Sequence, residues 1–226
     1  MNVVIFDVRG KIAHFRRPDT TATHLTYPFI PPTAIKGLVG AVLGITDFMT
    51  EDQVAIQVLN PVLTSAQQMS MLGKDTGSSF NRPTTIELLV NPAYRIYYAG
   101  KEYTKQLAER LKNGQSVYPA YLGTAYALTK PELVDICKGE VVKPEGAVTI
   151  SSVIPTSIIE EIILEDDRYY QRAGGFMLQY KGNRIFEKSV SFLYEKDGKP
   201  VKVKLKEKWP DNMKIVKVKD DYICLV

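Results

Sequence analysis

The sequence is poor in the residues on which most hydrolytic and metal sites depend. It contains two histidines and two cysteines among 226 residues. Because Cys137 and Cys224 lie far apart and neither has a partner at metal-ligand spacing, we expect a reduced cytoplasmic setting and no zinc. With His14 and His24 as the only imidazoles, no serine or cysteine nucleophile has a recognisable base. These shortages favour a binding function.

Long apolar runs and cofactor loops are also missing. The longest nearly apolar run, residues 37–45, is far too short to span a bilayer, and the N-terminal residues lack a basic leader followed by an apolar stretch. The stretch GKDTGSS at 73–79 does not have the order of a phosphate-binding loop, and AGGFM at 173–177 is no dinucleotide fingerprint. We therefore expect a cytoplasmic protein without a bound cofactor or metal.

Charge is nearly balanced overall but uneven along the chain. The formal net charge is +4, which permits a nucleic-acid partner without requiring one. Residues 160–167 are acidic, whereas residues 196–219 are rich in lysine. Lys202, Lys204 and Lys206 alternate with apolar residues and so share one face of a strand. That row is more typical of a solvated edge strand than of an RNA contact, and its role stays open.

Local patterns predict most of the secondary structure. The predicted strands are 3–9, 53–63, 84–98 and 117–128, with further strands beyond residue 147 and a hairpin turn at Asp197-Gly198. A helix should open at Pro31-Pro32-Thr33, a second helix should cover 101–112, and a third, short one should follow a capping box at 129–132. The insert between the second and third strands fits a projecting hairpin or a mobile loop.

The order of these elements predicts an α+β fold. Strand, helix, strand, strand, helix, strand matches the ferredoxin-like, or RRM-like, βαββαβ unit. We expect that unit in residues 1–145, with the insert at about 66–84, and a β-rich region in residues 146–226.

The loop HFRRPDTTATHLTYPFIPP, residues 14–32, holds the strongest candidates for binding. Arg16 and Arg17 leave the first strand just before the loop returns to a helix N-terminus, which favours anions. His24 and Tyr27 offer flat faces on which unstacked bases could lie. Alternatively, Tyr27-Pro28-Phe29 pins the loop to the core. Composition and pattern alone leave both interpretations open.

Three segments carry a family resemblance. GKIAHFRR followed by TYPFIPPTAIKGLVGAVLG, at residues 10–17 and 26–44, resembles the N-terminal signature of the Cas5 family of CRISPR-associated proteins, in the RAMP superfamily. NRPTTIELLVNPAYRIYY, residues 81–98, resembles the next block of that family, in a form similar to type I-B members. YLGTAYAL, residues 121–128, is a looser match.

The resemblance implies an RNA-binding subunit of a type I Cascade surveillance complex, which acts in antiviral defence. Such a subunit has a thumb hairpin on its ferredoxin-like domain and caps the 5′ handle of the crRNA. It lies beside the large subunit and the backbone subunit, and it meets target DNA only through the complex. The candidate RNA contacts, from the loop and from this resemblance, are His14, Arg16, Arg17, His24, Tyr27, Lys36, Lys74, Ser78, Ser79, Phe80, Asn81 and Arg82.

Some members of the family cleave CRISPR repeat RNA themselves, in type I-C systems, without a metal. They use Tyr, Lys and His, with the Lys and His adjacent. This chain has no adjacent Lys-His pair, so we expect no catalytic residue and leave cleavage to a separate endonuclease. Two alternatives remain: a metal-independent endoribonuclease, and a general single-stranded RNA-binding protein.

Overall fold

The computed structural model describes residues 1–75 and 77–226, without the side chains of residues 74 and 75. It is an α+β structure with many strands and two α-helices in the described part of the chain. The helices are α1 (Pro32–Leu43) and α2 (Thr104–Lys112). The strands are β1 (Asn2–Arg9), β2 (Ile12–Ala13), β3 (Gln53–Val58), β4 (Thr64–Asp75), β5 (Ser78–Val90), β6 (Ala93–Ala99), β7 (Ala120–Tyr121), β8 (Leu128–Thr129), β9 (Glu132–Lys138), β10 (Glu140–Val141), β11 (Ala147–Ile150), β12 (Ile154–Pro155), β13 (Ile159–Ile162), β14 (Tyr170–Tyr180), β15 (Phe186–Glu195), β16 (Val201–Leu205), β17 (Lys214–Val218) and β18 (Asp221–Leu225).

A four-stranded antiparallel sheet organises the first half of the chain. Its strand order is β3-β6-β1-β9, with α1 between β1 and β3 in sequence and α2 between β6 and β9. Val4, Phe6 and Val8 of β1 belong to the main hydrophobic core, which includes the buried face of α1. Val3 and Ile5, on the opposite face, pack against strands of the C-terminal region. Both faces of β1 are therefore buried, which accounts for its almost uninterrupted apolar sequence.

The long insert forms the hairpin β4/β5, with Thr64 opposite Leu89 at its base and Asp75 opposite Ser78 near its tip. The predicted start of the first helix and the predicted end of the second are confirmed. α1 begins at Pro32, and α2 ends at Lys112, just before Asn113-Gly114.

The prediction for residues 117–132 is wrong. Residues 120–121 and 128–129 form the short hairpin β7/β8, and β9 supplies the fourth strand where a helix was expected. The main-chain N–H groups of Val117 and Tyr118 donate to carbonyls at the end of α1, which takes the start of this segment away from the sheet. The hydroxyl of Thr129 donates to the carbonyl of Arg9 at 2.8 Å and caps no helix.

Asp197-Gly198 does not close a hairpin, which corrects another prediction. β15 pairs with β12 and β14, whereas β16 lies in the six-stranded sheet β10-β17-β18-β11-β16-β13. The buried carboxylate of Glu195 accepts the N–H groups of Asp197 and Lys199, and so fixes a turn that leads from one sheet to the other. Because β16 lies between β11 and β13, its lysines do not protect a sheet edge.

One core joins the two regions of the chain. The ring of Phe29 stacks on that of Phe176 at 4.8 Å and meets the ring of Phe192 edge-on at 5.8 Å. The loop that precedes α1 is thereby packed against β14 and β15. No helix in the described part of the chain is long and apolar enough to cross a membrane.

Candidate nucleic-acid interface

The loop 14–31 lies along the base of the β4/β5 hairpin. Its two arms pair with each other, since the Arg17 N–H donates to the Leu25 carbonyl at 2.9 Å and the Tyr27 N–H to the Phe15 carbonyl at 2.8 Å. The same loop then pairs with β5, because the His24 N–H donates to the Thr85 carbonyl at 2.9 Å. The loop therefore continues the sheet of the hairpin and has a defined backbone path.

Glu87 of β5 holds this loop through three different groups. Its carboxylate accepts the N–H of the buried Thr26 at 3.0 Å, and its N–H donates to the His24 carbonyl at 3.0 Å. Its carbonyl oxygen accepts a hydrogen bond from Nδ1 of His14 at 2.8 Å. Glu87 was not among the residues predicted from the sequence, where its one local signal is that it is a single acid inside the apolar run IELLV.

The two histidines of the chain lie side by side. Their rings stack with centroids 6.5 Å apart and an angle of 20° between the planes. Because a carbonyl oxygen can only accept, Nδ1 of His14 carries the proton and its Nε2 remains available as an acceptor in the neutral ring. Burial, followed by the charges of Arg16, His14 and Arg82, lowers the pKa of His24. His14, Arg16, His24 and Arg82, which we call the basic cluster, thus come together from two distant segments.

The two adjacent arginines have different surroundings. Nε and Nη2 of Arg17 donate to the carboxylate of Asp19 at 3.1 and 2.6 Å, and this fork raises the pKa of Arg17. Arg16 is exposed and donates to the Thr20 carbonyl at 3.2 Å, and it has no carboxylate partner among the described residues. An external anion would therefore compete with Asp19 at Arg17, but would meet no such competitor at Arg16.

Tyr27 is engaged inside the protein. Its hydroxyl donates to the Gly175 carbonyl at 2.6 Å, its ring lies 4.4 Å from that of Phe176, and the residue is 7% exposed. These contacts match the alternative in which Tyr27-Pro28-Phe29 pins the loop to the core, and they leave little of the Tyr27 ring open to a base.

Lys36 makes its contacts inside the protein and not with the basic cluster. It is 9% exposed, its Nζ donates to the Thr50 carbonyl at 3.2 Å, and burial lowers its pKa.

The remaining predicted residues lie on the outer half of β5. Ser78, Ser79, Phe80, Asn81 and Arg82 are all exposed, and Phe80 is 48% exposed although its ring covers Gly73. Phe80 and Arg82 share one face of the strand because side chains alternate. The side chain of Lys74 lies outside the described residues.

A cleft of about 700 Å³ lies against the loop. Arg17, Arg172 and Lys196 bring cations to its wall, and Glu87 brings a carboxylate. The cleft joins the loop to β14, which carries a bulge at Gly174-Gly175. Arg172 also donates to the hydroxyl of Ser191 at 3.4 Å. Cations from the loop and from the C-terminal region thus meet at this cleft.

Comparison with known proteins places this fold among CRISPR proteins. A CRISPR protein from Archaeoglobus fulgidus aligns over 99% of this chain and 98% of its own, with a TM-score of 0.57 and 13% identity. A chain of a CRISPR RNA-guided surveillance complex aligns over 89% of this chain and 90% of its own, with a TM-score of 0.55 and 14% identity. A search of curated proteins finds no match.

The sequence itself matches a family model over residues 3–181, and that model describes the CRISPR-associated protein family Cas_Cas5. The chain therefore belongs to the Cas5 family of CRISPR-associated proteins. The resemblance inferred from the loop and from the IELLVNP block is confirmed at the level of the family.

Proposed function

We propose that this protein is a non-catalytic RNA-binding subunit of a type I CRISPR surveillance complex and that it caps the 5′ handle of the crRNA. Family membership supports a role in CRISPR defence. The observation that carries the proposal is the basic cluster formed by the loop and by β5 of an exposed hairpin, where Arg16 and Arg82 have no carboxylate partner among the described residues. A guanidinium group without a carboxylate partner can donate two hydrogen bonds to a phosphate of a single strand.

The architecture fits this role. The sheet order β3-β6-β1-β9 with two intervening helices supports a ferredoxin-like unit in residues 1–145, followed by a β-rich region in residues 146–226. The β4/β5 hairpin would be the thumb, which threads the RNA and touches the neighbouring backbone subunit. A large subunit would complete the assembly, and target DNA would reach this protein through the complex. The similar fold of a chain from a CRISPR RNA-guided surveillance complex supports such an assembly.

Within this proposal the candidate contacts fall into two groups. Arg16, His24 and Arg82 would bind the phosphates, the buried His14 would support the ring of His24 on which it stacks, and Ser78, Ser79, Phe80 and Asn81 would continue this surface along the hairpin. Tyr27 positions the loop through its bond to Gly175, and Arg17 contributes only after it releases Asp19.

Salt dependence of RNA binding tests the cluster. If Arg16 and Arg82 contact phosphates, Arg16→Ala and Arg82→Ala should each reduce the slope of log K against log salt by about 0.7. Lys105→Ala removes an equal charge from the exposed face of α2 and should leave the slope unchanged. Unchanged slopes for both arginine variants would remove the phosphate role.

Two further comparisons separate the alternatives. A general single-stranded RNA-binding protein would bind handle RNA and a scrambled strand equally, whereas a handle-capping subunit should prefer the handle. An endoribonuclease would cut labelled repeat RNA at one bond in the presence of EDTA. Such scission by the wild type, lost in His14→Ala, would contradict the non-catalytic role.

A further inference from the structure

The β7/β8 hairpin presents aromatic side chains to solvent. Its inward side chains are Ala120, Leu122 and Ala127, which are 5%, 0% and 4% exposed. Its outward side chains include Tyr121 and Tyr126, each 49% exposed. The hairpin is thus anchored by small and aliphatic side chains while half the surface of two tyrosines remains in water. That distribution leaves aromatic faces for a ligand.

Backbone contacts fix these tyrosines beside the basic cluster. The His14 N–H donates to the Leu122 carbonyl at 3.1 Å. Gly123 approaches so closely that a Cβ atom built on it would clash with the carbonyl oxygen of His14. The turn is closed by hydrogen bonds from the Leu122 N–H to the Ala127 carbonyl at 2.8 Å and from the Ala127 N–H to the Thr124 carbonyl at 2.9 Å.

Tyr126 also contacts the β4/β5 hairpin. Its hydroxyl lies 4.0 Å from Sδ of Met69. Met69 is directly opposite Thr84, and Met71 is directly opposite Arg82. Because opposite residues and residues two apart share a face, Tyr126 lies over the same face of the hairpin that carries Arg82.

We propose that Tyr126, assisted by Tyr121, is a stacking platform for an unpaired RNA base whose flanking phosphates contact the basic cluster. This inference rests on the proposed function and adds two base-binding residues to it. Single-stranded nucleic acid is held by cations that track its backbone and by aromatic faces that take its bases. An exposed tyrosine over the face of the hairpin that carries Arg82, on a turn bonded to the backbone of His14, supplies both elements. The partner is therefore a nucleobase in a single strand.

The test uses the full chain and a short single-stranded oligoadenylate that carries one 2-aminopurine. Stacking should quench the fluorescence of 2-aminopurine in the wild type and in Tyr126→Phe, which keeps the ring. Tyr126→Leu should bind on the order of 5- to 100-fold more weakly, with the salt slope unchanged and the quenching reduced. Tyr169→Leu, at an exposed tyrosine far along the chain, should bind like the wild type.

The outcomes separate this inference from the function on which it rests. If Tyr126→Leu and Tyr121→Leu bind with wild-type affinity while Arg16→Ala and Arg82→Ala weaken binding, the platform is refuted and the RNA-binding function stands. If the wild type binds no RNA, both the stacking platform and the proposed RNA-binding function are refuted. If Tyr126→Leu weakens docking of another protein subunit but not RNA binding, the surface is a protein interface and the platform is refuted. Thermal unfolding checks that each variant is folded, and Tyr121→Leu provides the same comparison should Tyr126→Leu fail that check.

Discussion

Gly123 is the point at which the β7/β8 hairpin is locked to the loop, and its replacement by alanine tests that arrangement. The backbone of Gly123 has φ +81°, a conformation that favours glycine. A Cβ atom there would also clash with the carbonyl oxygen of His14 and lie 2.7 Å from Cδ1 of Phe15. The first contact is with backbone, so no change of side-chain rotamer can relieve it.

Two costs add in Gly123→Ala. The left-handed backbone costs an alanine about 1–2 kcal/mol. Relief of the clash requires the hairpin to move away from His14, which removes the hydrogen bond to the Leu122 carbonyl, worth about 0.5–1.5 kcal/mol. We therefore expect a loss of about 1.5–3.5 kcal/mol in the free energy of unfolding. Part of the burial of Leu122, which is 0% exposed, would be lost as well.

Gly146→Ala is the matched control. Gly146 has φ +72°, but no atom lies within 4 Å of the Cβ position. It should lose only the backbone term, about 1–2 kcal/mol. Equilibrium unfolding in urea measures both variants, and RNA binding should weaken only in Gly123→Ala. Equal losses of stability in the two variants would refute the close approach of Gly123 to His14.

Two other predictions concern the loop. Tyr27→Phe removes the hydroxyl bonded to Gly175 but keeps the ring, and should cost about 1–2 kcal/mol, seen as a lower urea midpoint; Tyr121→Phe, at a half-exposed ring, should not change it. Because the pKa of His24 is lowered in the folded chain, the unfolded chain binds a proton at His24 at a higher pH than the folded chain does. Melting temperature should therefore decline from the ordinary histidine range down to the lowered pKa and then level off, and His24→Gln should reduce that decline.

Elements with local signals were predictable from the sequence. Pro32 at the first position of α1 and Asn113-Gly114 after α2 each define a boundary through their own backbone preferences. The fourth strand was misplaced because its position depends on distant pairing. Residues 117–128 are as strand-like in composition as β9, but main-chain bonds to the end of α1 and to His14 hold them elsewhere.

The candidate site was predictable only in part, for the same reason. Arg16 and Arg82 stand out by residue type, but nothing local shows that the loop and β5 become neighbours. Glu87 acts through three groups that reach three different loop residues, so its role is defined only by the fold. Tyr27 illustrates the converse, since an aromatic beside two arginines can face either an RNA base or the core, and only the position of β14 decides between them.

The edge of β5 shows why a basic cluster forms at this place. β2 covers that edge at Leu89 and Val90, and the loop covers it near Ile86. Within the described residues, neither β2 nor the loop pairs with 78–83 on that edge. Exposed edges commonly carry a charge that prevents pairing with another chain, and Arg82 alone would need no further explanation. Arg16 and His24, however, come near Arg82 from a different segment, although burial and the neighbouring positive charges lower the pKa of His24. Protection of an edge against pairing with another chain does not require that concentration of positive charge, whereas it would stabilise an anionic strand bound along the edge.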